Sequence, residues 1–213
     1  YNPLEGVSLP RKKTSDIRLL DKKEQLCLEE YVSKIHNSTT LGITLAMTTG
    51  IRIGELCALQ WKDIDLEKRI LTVSKTVQRI QLHEADRKTK LIITEPKSES
   101  SKRIIPIPEA VVAFLKEMRE NDEDFVVSGT SRVIEPRTMQ YRFAKILKNV
   151  NLPSVHFHAL RHMFASNCIR LGFDIKALSE ILGHSSVEIT LNRYVHSSFE
   201  QKTEYMNRIT ICV

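Results

Sequence analysis

No apolar run in the sequence approaches the ~20 residues that cross a membrane, and no signal peptide opens it. Its four cysteines (Cys27, Cys57, Cys168 and Cys212) are scattered and form no CxxC pair. That spacing argues against a metal or redox site and fits a reducing compartment. Neither an internal repeat nor a low-complexity tract organises the chain. Its first residue is Tyr1 rather than Met, so the sequence reads as a piece of a longer protein. What remains is an ordinary globular composition, 41% hydrophobic and 27% charged over 213 residues, enough for one or two domains with a proper core. The net charge of +6 favours a polyanionic partner without identifying it.

The densest chemistry lies between His158 and His196. His158 and Arg161 are three apart, so a helix projects them from one face. Phe164, Cys168, Ile169 and Leu171 are read as the buried side of that helix, and Leu178, Ile181 and Leu182 as that of the next. Gly183 is placed to end the second helix in a left-handed cap, which leaves His184 just outside a helix end. Tyr194 follows the short amphipathic piece from Val187 to Asn192. Helix, glycine turn and helix is also the pattern of a DNA-binding helix-turn-helix, and Asp174 to Tyr194 fits that alternative.

Upstream, Tyr1 to Thr14, with Pro3, Pro10 and Arg11-Lys12-Lys13, reads as an extended basic linker. Asp21 is placed to cap a helix from Lys22 to about His36, with Leu26, Leu28, Tyr31 and Ile35 at helical spacing. Thr39 to Thr48 is a second, largely apolar helix. Thr49-Gly50 breaks the pattern, and Arg52 falls in the first turn of the helix that follows. A cation gains nothing from the dipole there, so either an anion is expected from outside, or Arg52 is a plain surface arginine or one paired with Glu55. Leu56, Leu59 and Trp61 are expected to be buried.

The period then changes. Ile70 to Val73, Val77 to Leu82, Leu91 to Thr94 and Arg103 to Ile107 read as strands. The last two are expected to form a hairpin whose polar tip, Glu95 to Lys102, carries Lys97, in a sheet of about three strands. Pro108 and Pro136 each open a helix. In the second, Tyr141, Phe143, Ile146 and Leu147 are read as inward, while Arg137, Arg142, Lys145 and Lys148 suit either phosphate contact or a solvated face. Ser197 or Ser198 is placed to cap a further helix through Met206. The apolar tail from Ile209 to Val213 is expected to dock, on a neighbouring protomer in one reading.

Taken in order, TTGIRIGEL, EPKSESSKRIIPIP, HFHALRHMFAS, ILGHSS and NRYVH resemble the blocks of the tyrosine recombinase (phage integrase) family, in the style of conjugative-transposon integrases. The blocks run from Thr48 to His196. The resemblance implies a mainly α, α+β catalytic domain over residues 15–213 with a small three-stranded antiparallel sheet. It implies six catalytic residues: Arg52, Lys97, His158, Arg161, His184 and Tyr194. His162 follows the family pattern as a supporting residue, Met163 departs from the small polar residue usual there, and Tyr31, Tyr141 and Tyr205 are expected to be structural. Double-stranded DNA is the implied partner, a DNA-bound homo-tetramer with exchanged C-terminal tails the implied assembly, and a bacterial, nucleoid-associated cytoplasmic protein the implied setting. No cofactor or metal is implied. The upstream DNA-binding domain normal in the family has no counterpart in these residues. A type IB topoisomerase shares the chemistry, and a non-catalytic helix-turn-helix regulator is the alternative that lacks it.

Overall fold

A computed structural model describes residues 18–81, 89–96 and 99–194, together with 203, 206 and 207. The basic linker, Lys97 and the tail from Ile209 lie outside the described residues. The order is α1 (Lys22–Lys34), α2 (Ser38–Thr49), α3 (Ile53–Ala58), β1 (Ile64–Asp65), β2 (Ile70–Val73), β3 (Thr76–Gln81), β4 (Thr89–Thr94), β5 (Arg103–Pro106), α4 (Glu109–Met118), α5 (Pro136–Asn149), α6 (His158–Arg170), α7 (Ile175–Leu182) and α8 (Val187–Tyr194). It is a mainly helical α+β fold. No described helix is long and apolar enough to cross a membrane.

Local chemistry explains the helix starts. The Asp21 carboxylate accepts from the backbone N–H groups of Lys23 and Glu24, and Glu24 returns a bond to the Asp21 N–H, which completes a capping box. Asn37 caps α2 in the same way. Pro136 opens α5 at its first position, where its missing N–H costs nothing. Pro108 instead stands one residue before α4, as its N-cap.

Helix α2 is apolar on all sides and sits in the middle of the core, as such a pattern requires. Its buried threonines satisfy their own hydroxyls: Thr40 donates to the Ile35 carbonyl at 2.6 Å and Thr49 to that of Leu45 at 2.6 Å. Around α2 the main core gathers Leu28, Leu56, Trp61, Leu71, Phe143 and Leu160. A second, much smaller cluster of Ala165, Cys168, Leu178 and Leu182 fills the space between α6 and α7, and Tyr194 packs on it. Helix α6 belongs to both, since Ala159, Leu160 and Met163 face the main core.

The strands correct the expected pairing. β1, β2 and β5 form a three-stranded antiparallel sheet in the order β1-β2-β5, and β3 and β4 pair separately. β4 and β5 are therefore not a hairpin pair, since they lie in different sheets. The true hairpin partner of β4 is β3, with Val77 opposite Ile93 and Arg79 opposite Leu91. Alternation alone does not select between these partners, because it fixes which face is buried but not which strand lies alongside.

Several expected core positions face solvent. Tyr141 is 71% and Leu171 73% exposed, and Leu26 and Ile35 are exposed too. On α5 the inward set is Met139, Phe143, Ile146 and Leu147, a phase that turns Tyr141 outward. Leu171 already lies past the end of α6.

Candidate functional site

Two glycines build the ground on which the site stands. Gly50 ends α2 with φ 63° and Gly183 ends α7 with φ 64°, both in the left-handed region that suits glycine. A Cβ on Gly50 would lie 2.5 Å from the Phe164 ring. The carbonyls beside these turns are orphaned by the helix ends and need donors.

Guanidiniums supply them. Arg161, on α6 and almost wholly buried, donates from Nη1 to the Gly50 carbonyl at 2.7 Å and from Nη2 to the Leu182 carbonyl at 2.7 Å. Arg52, the residue that precedes α3, donates from Nη2 to the Gly183 carbonyl at 2.7 Å. Its Nη1 meets the buried Glu55 carboxylate at 2.7 Å. The two arginines, far apart in sequence, thus bind adjacent carbonyls at the end of α7. Arg52 pairs with Glu55, as one expectation had it, and it also lines an open cleft.

That cleft, of ≈ 280 Å³, is bordered by Arg52, His158, Arg161, His184, Ile189 and Arg193 among others. A larger groove of ≈ 420 Å³ lies between α1, α2 and α4, lined by such residues as Val32, Met47, Val111 and Phe114. It is mostly apolar and is lined by none of Arg52, His158, Arg161, His184 and Tyr194, so the smaller cleft is the candidate site. Because a guanidinium has five N–H donors, Arg52 and Arg161 can each bind an anion in the cleft while keeping their protein bonds.

The histidines are held neutral. Burial and then the neighbouring His162 and Arg161 push His158 down to about 4. The His158 side chain also stands exposed at the cleft mouth, so solvent screens part of that shift. Burial, followed by Arg161 and Arg52, brings His184 down to about 4 as well. The His184 Nδ1 lies 2.8 Å from the Thr190 hydroxyl on α8, which fixes the ring plane and leaves Nε2 for the cleft. Arg161 is lowered to about 9, by burial first and then by Arg52 and Arg103, and keeps its proton at neutral pH.

Tyr194 ends α8 beside this cluster. Its ring lies 5.4 Å from that of His162 and 6.3 Å from that of His184. Burial raises its pKa, while the charges of Arg161 and Arg193 pull the other way. Both guanidiniums are close, yet the hydroxyl makes no hydrogen bond of good geometry and is buried. The buried Nε2 of His162 is likewise unpartnered.

Of the six expected residues, five meet here: Arg52, His158, Arg161, His184 and Tyr194. The sixth, Lys97, lies outside the described residues. Sequence reasoning missed Arg103 and Thr190 and treated Glu55 only as a possible partner of Arg52. The i, i+3 spacing of Arg52 and Glu55 was the one available signal, since the other partners come from distant elements. Arg142 is not a free phosphate-facing group; it is half-buried and donates to the Val127 carbonyl at 3.2 Å. Arg137, Lys145 and Lys148 are exposed. Among the described residues no three histidine, cysteine or carboxylate side chains are grouped to hold a metal ion.

The end of α7 binds arginines, and the exposed residues of α8 include Val187, Ile189 and Leu191 beside Arg193. The helical body, the two small sheets and this arginine–histidine–tyrosine cluster make up a catalytic domain of tyrosine-recombinase type. The chain belongs to the phage integrase family, with the match running over residues 18–201. It is 34% identical over 178 residues to a XerC-like tyrosine recombinase of Caldanaerobacter subterraneus subsp. tengcongensis, covering 75% of this chain and 46% of that protein. It is 28% identical over 207 residues to the transposase from transposon Tn916 of Enterococcus faecalis, covering 89% of this chain and 50% of that one. The chain therefore spans about half the length of these curated relatives. Among solved structures, the Tn1549 transposon integrase in complex with transposon right end DNA superposes with a TM-score of 0.73 at 25% identity, covering 93% of this chain and 68% of that one. XerA recombinase superposes with a TM-score of 0.64 at 26% identity, over 95% and 68% of the two chains.

Proposed function

We propose that this chain is the catalytic domain of a site-specific DNA recombinase that integrates and excises a mobile element through a covalent 3′-phosphotyrosine. The observation that carries the reading is the anchoring of Arg52 and Arg161 on neighbouring carbonyls of α7, at one cleft with His158, His184 and the end of α8. A phosphodiester is already anionic and gathers more charge on its non-bridging oxygens during in-line attack. Two fixed, permanently charged forks are suited to hold those oxygens, and they incur no reorganisation when the reaction occurs.

In the reaction, the Tyr194 oxygen bonds to phosphorus as the bond from phosphorus to the 5′-oxygen breaks. Neutral His158 accepts the phenolic proton, and Lys97 gives a proton to the departing 5′-oxygen. In the tautomer whose Nδ1 accepts from the Thr190 hydroxyl, His184 carries its proton on Nε2 and donates a hydrogen bond to the phosphate. Attack by the 5′-hydroxyl of another duplex reverses the step and exchanges strands, so no ATP and no metal is needed. The Tyr194 hydroxyl is buried, so α8 must shift to present it. The likeness to a DNA-bound transposon integrase supports duplex DNA as the substrate and a mobile element as the setting. The reading includes a tetramer on DNA whose C-terminal tails pass between protomers, with residues 1–14 as the link to an upstream DNA-binding domain.

The test uses a randomised pool of nicked suicide duplexes, in which cleavage releases a short strand that cannot return. Wild-type chain is expected to leave a denaturant-resistant protein–DNA adduct, also in the presence of a chelator, and Tyr194→Phe is expected to leave none. An adduct that persists in Tyr194→Phe, or one that strictly needs a metal, overturns the mechanism.

A further inference from the structure

Two arginine side chains share one buried carboxylate beside the cleft. Glu55 accepts from the Arg52 guanidinium and also from the Arg52 backbone N–H, at 3.0 Å. From the other side Arg103, at the start of β5, donates from Nη2 to one oxygen at 2.9 Å and from Nη1 to the other at 3.1 Å. The Arg103 side chain is 6% exposed, so this fork pair is desolvated. Its remaining bonds run to the Ile181 carbonyl from Nε at 2.6 Å and to the Ser101 carbonyl from Nη1 at 3.0 Å. Three successive carbonyls at the end of α7 are therefore each held by a different arginine: Ile181 by Arg103, Leu182 by Arg161 and Gly183 by Arg52. The absence of a side chain at Gly183 makes room for this, because a Cβ there would lie 2.9 to 3.1 Å from Arg103 atoms.

We infer that Arg103 is a positioning residue for strand cleavage, acting on the scissile phosphate through Glu55 and Arg52. An isolated Arg52–Glu55 pair has no net charge, and its field at the cleft would be that of a dipole. With Arg103 sharing the carboxylate, the triad carries a net positive charge, and Arg52 remains an effective cation toward the anion. Burial alone would push the Glu55 carboxyl up, but the hydrogen bonds and charge of Arg103, helped by Arg52, leave it lowered and ionised. Remove Arg103 and the buried carboxylate draws on Arg52 alone, so the fork turns from the cleft toward Glu55. At the same time the end of α7 loses its tie to β5.

This inference rests on the proposed strand-transfer reading, and one experiment separates the two. A duplex enriched from the nicked pool by wild-type adduct formation is prepared with its natural scissile phosphodiester, and again with an uncharged methylphosphonate at that position. Single-turnover adduct formation at saturating duplex is compared for wild type, Arg103→Ala and Arg103→Lys. On the phosphodiester, Arg103→Ala is expected to be slower by on the order of 10²-fold, the scale of one preorganised charge-stabilising contact, with duplex affinity little changed. On the methylphosphonate, where less charge needs holding, that deficit should shrink to within about tenfold. Arg103→Lys keeps the charge without the fork and should fall between the other two. Should Arg103→Ala fail to fold, the same narrowing of the deficit in Arg103→Lys carries the test. A deficit equal on both linkages means a purely structural role and overturns the inference, as does wild-type cleavage by Arg103→Ala. Absence of any wild-type adduct overturns the strand-transfer reading itself.

Discussion

The two ends of helix α6 belong to different kinds of protein. Its first half packs Ala159, Leu160 and Met163 into the large core around α2, while its second half sets Ala165 and Cys168, flanked by the partly buried Phe164 and Ile169, against Leu178 and Leu182. The groups that would hold charge, Arg52 and Arg161, reach across from the well-packed side and grip the end of α7. The group that would form a bond, Tyr194, rests on the small cluster with a buried and unpartnered hydroxyl. An anion site gains from rigidity because its donors must be in place before charge develops. A nucleophile that enters and leaves a covalent bond needs freedom to travel. Local stability follows buried apolar contact, so α8 is expected to open more readily than α3 and the first half of α6.

The strongest way to break this contrast is to remove a fixed donor. Arg161→Ala is expected to slow adduct formation by on the order of 10³-fold while duplex affinity changes far less. Equal losses in cleavage and binding would mean that Arg161 holds DNA rather than the reacting phosphate. A core deletion comes next. Leu56→Ala should destabilise the whole domain by roughly 2–5 kcal/mol, measured by denaturant unfolding. Leu178→Ala should loosen α8 first, seen as faster amide exchange there at little change in α2. If both variants unfold the chain in one step with the same exchange pattern, the small cluster is no separate unit.

A glycine substitution sharpens the boundary between the two regions. Gly183→Ala places a side chain at positive φ and against Arg103, so it should reduce cleavage without loosening α2. Acid gives the smallest effect. His158 and His184 titrate near 4 in the fold, below their ordinary 6.5, so protonation favours the unfolded chain. The linked stability is complete above about 6.5 and is lost as pH falls toward about 4. Exposure of His158 keeps its share small, and His184→Asn should flatten the slope more than His158→Asn.

Much of this arrangement could be read from the chain before any coordinates. Gly183 as a left-handed cap, His184 just beyond it, and His158 and Arg161 on one helical face all follow from local spacing, and the structure has them there. Helices α1, α2 and α5 are bounded by residues that act locally, such as Asp21, Asn37 and Pro136. Other features depended on contacts far apart in sequence. The strand before Glu95 pairs backward with β3 rather than forward with β5, a choice made by packing that alternation does not record. Tyr141 lies among apolar residues and reads as inward, but the helix phase set by Met139, Phe143 and Ile146 turns it to solvent. Arg103 carries no local mark of its role, since its partners Glu55 and Ile181 lie tens of residues away on other elements.

The oxygen that joins the DNA decides the mechanism. Adduct from the enriched nicked duplex, digested with protease and nuclease, can be sequenced by mass spectrometry to find the modified peptide and the nucleotide attached. The expected result is a single peptide with a 3′-linked nucleotide on Tyr194. A nucleotide carried by Tyr141, Tyr205 or any serine, or one joined through its 5′-phosphate, would contradict it.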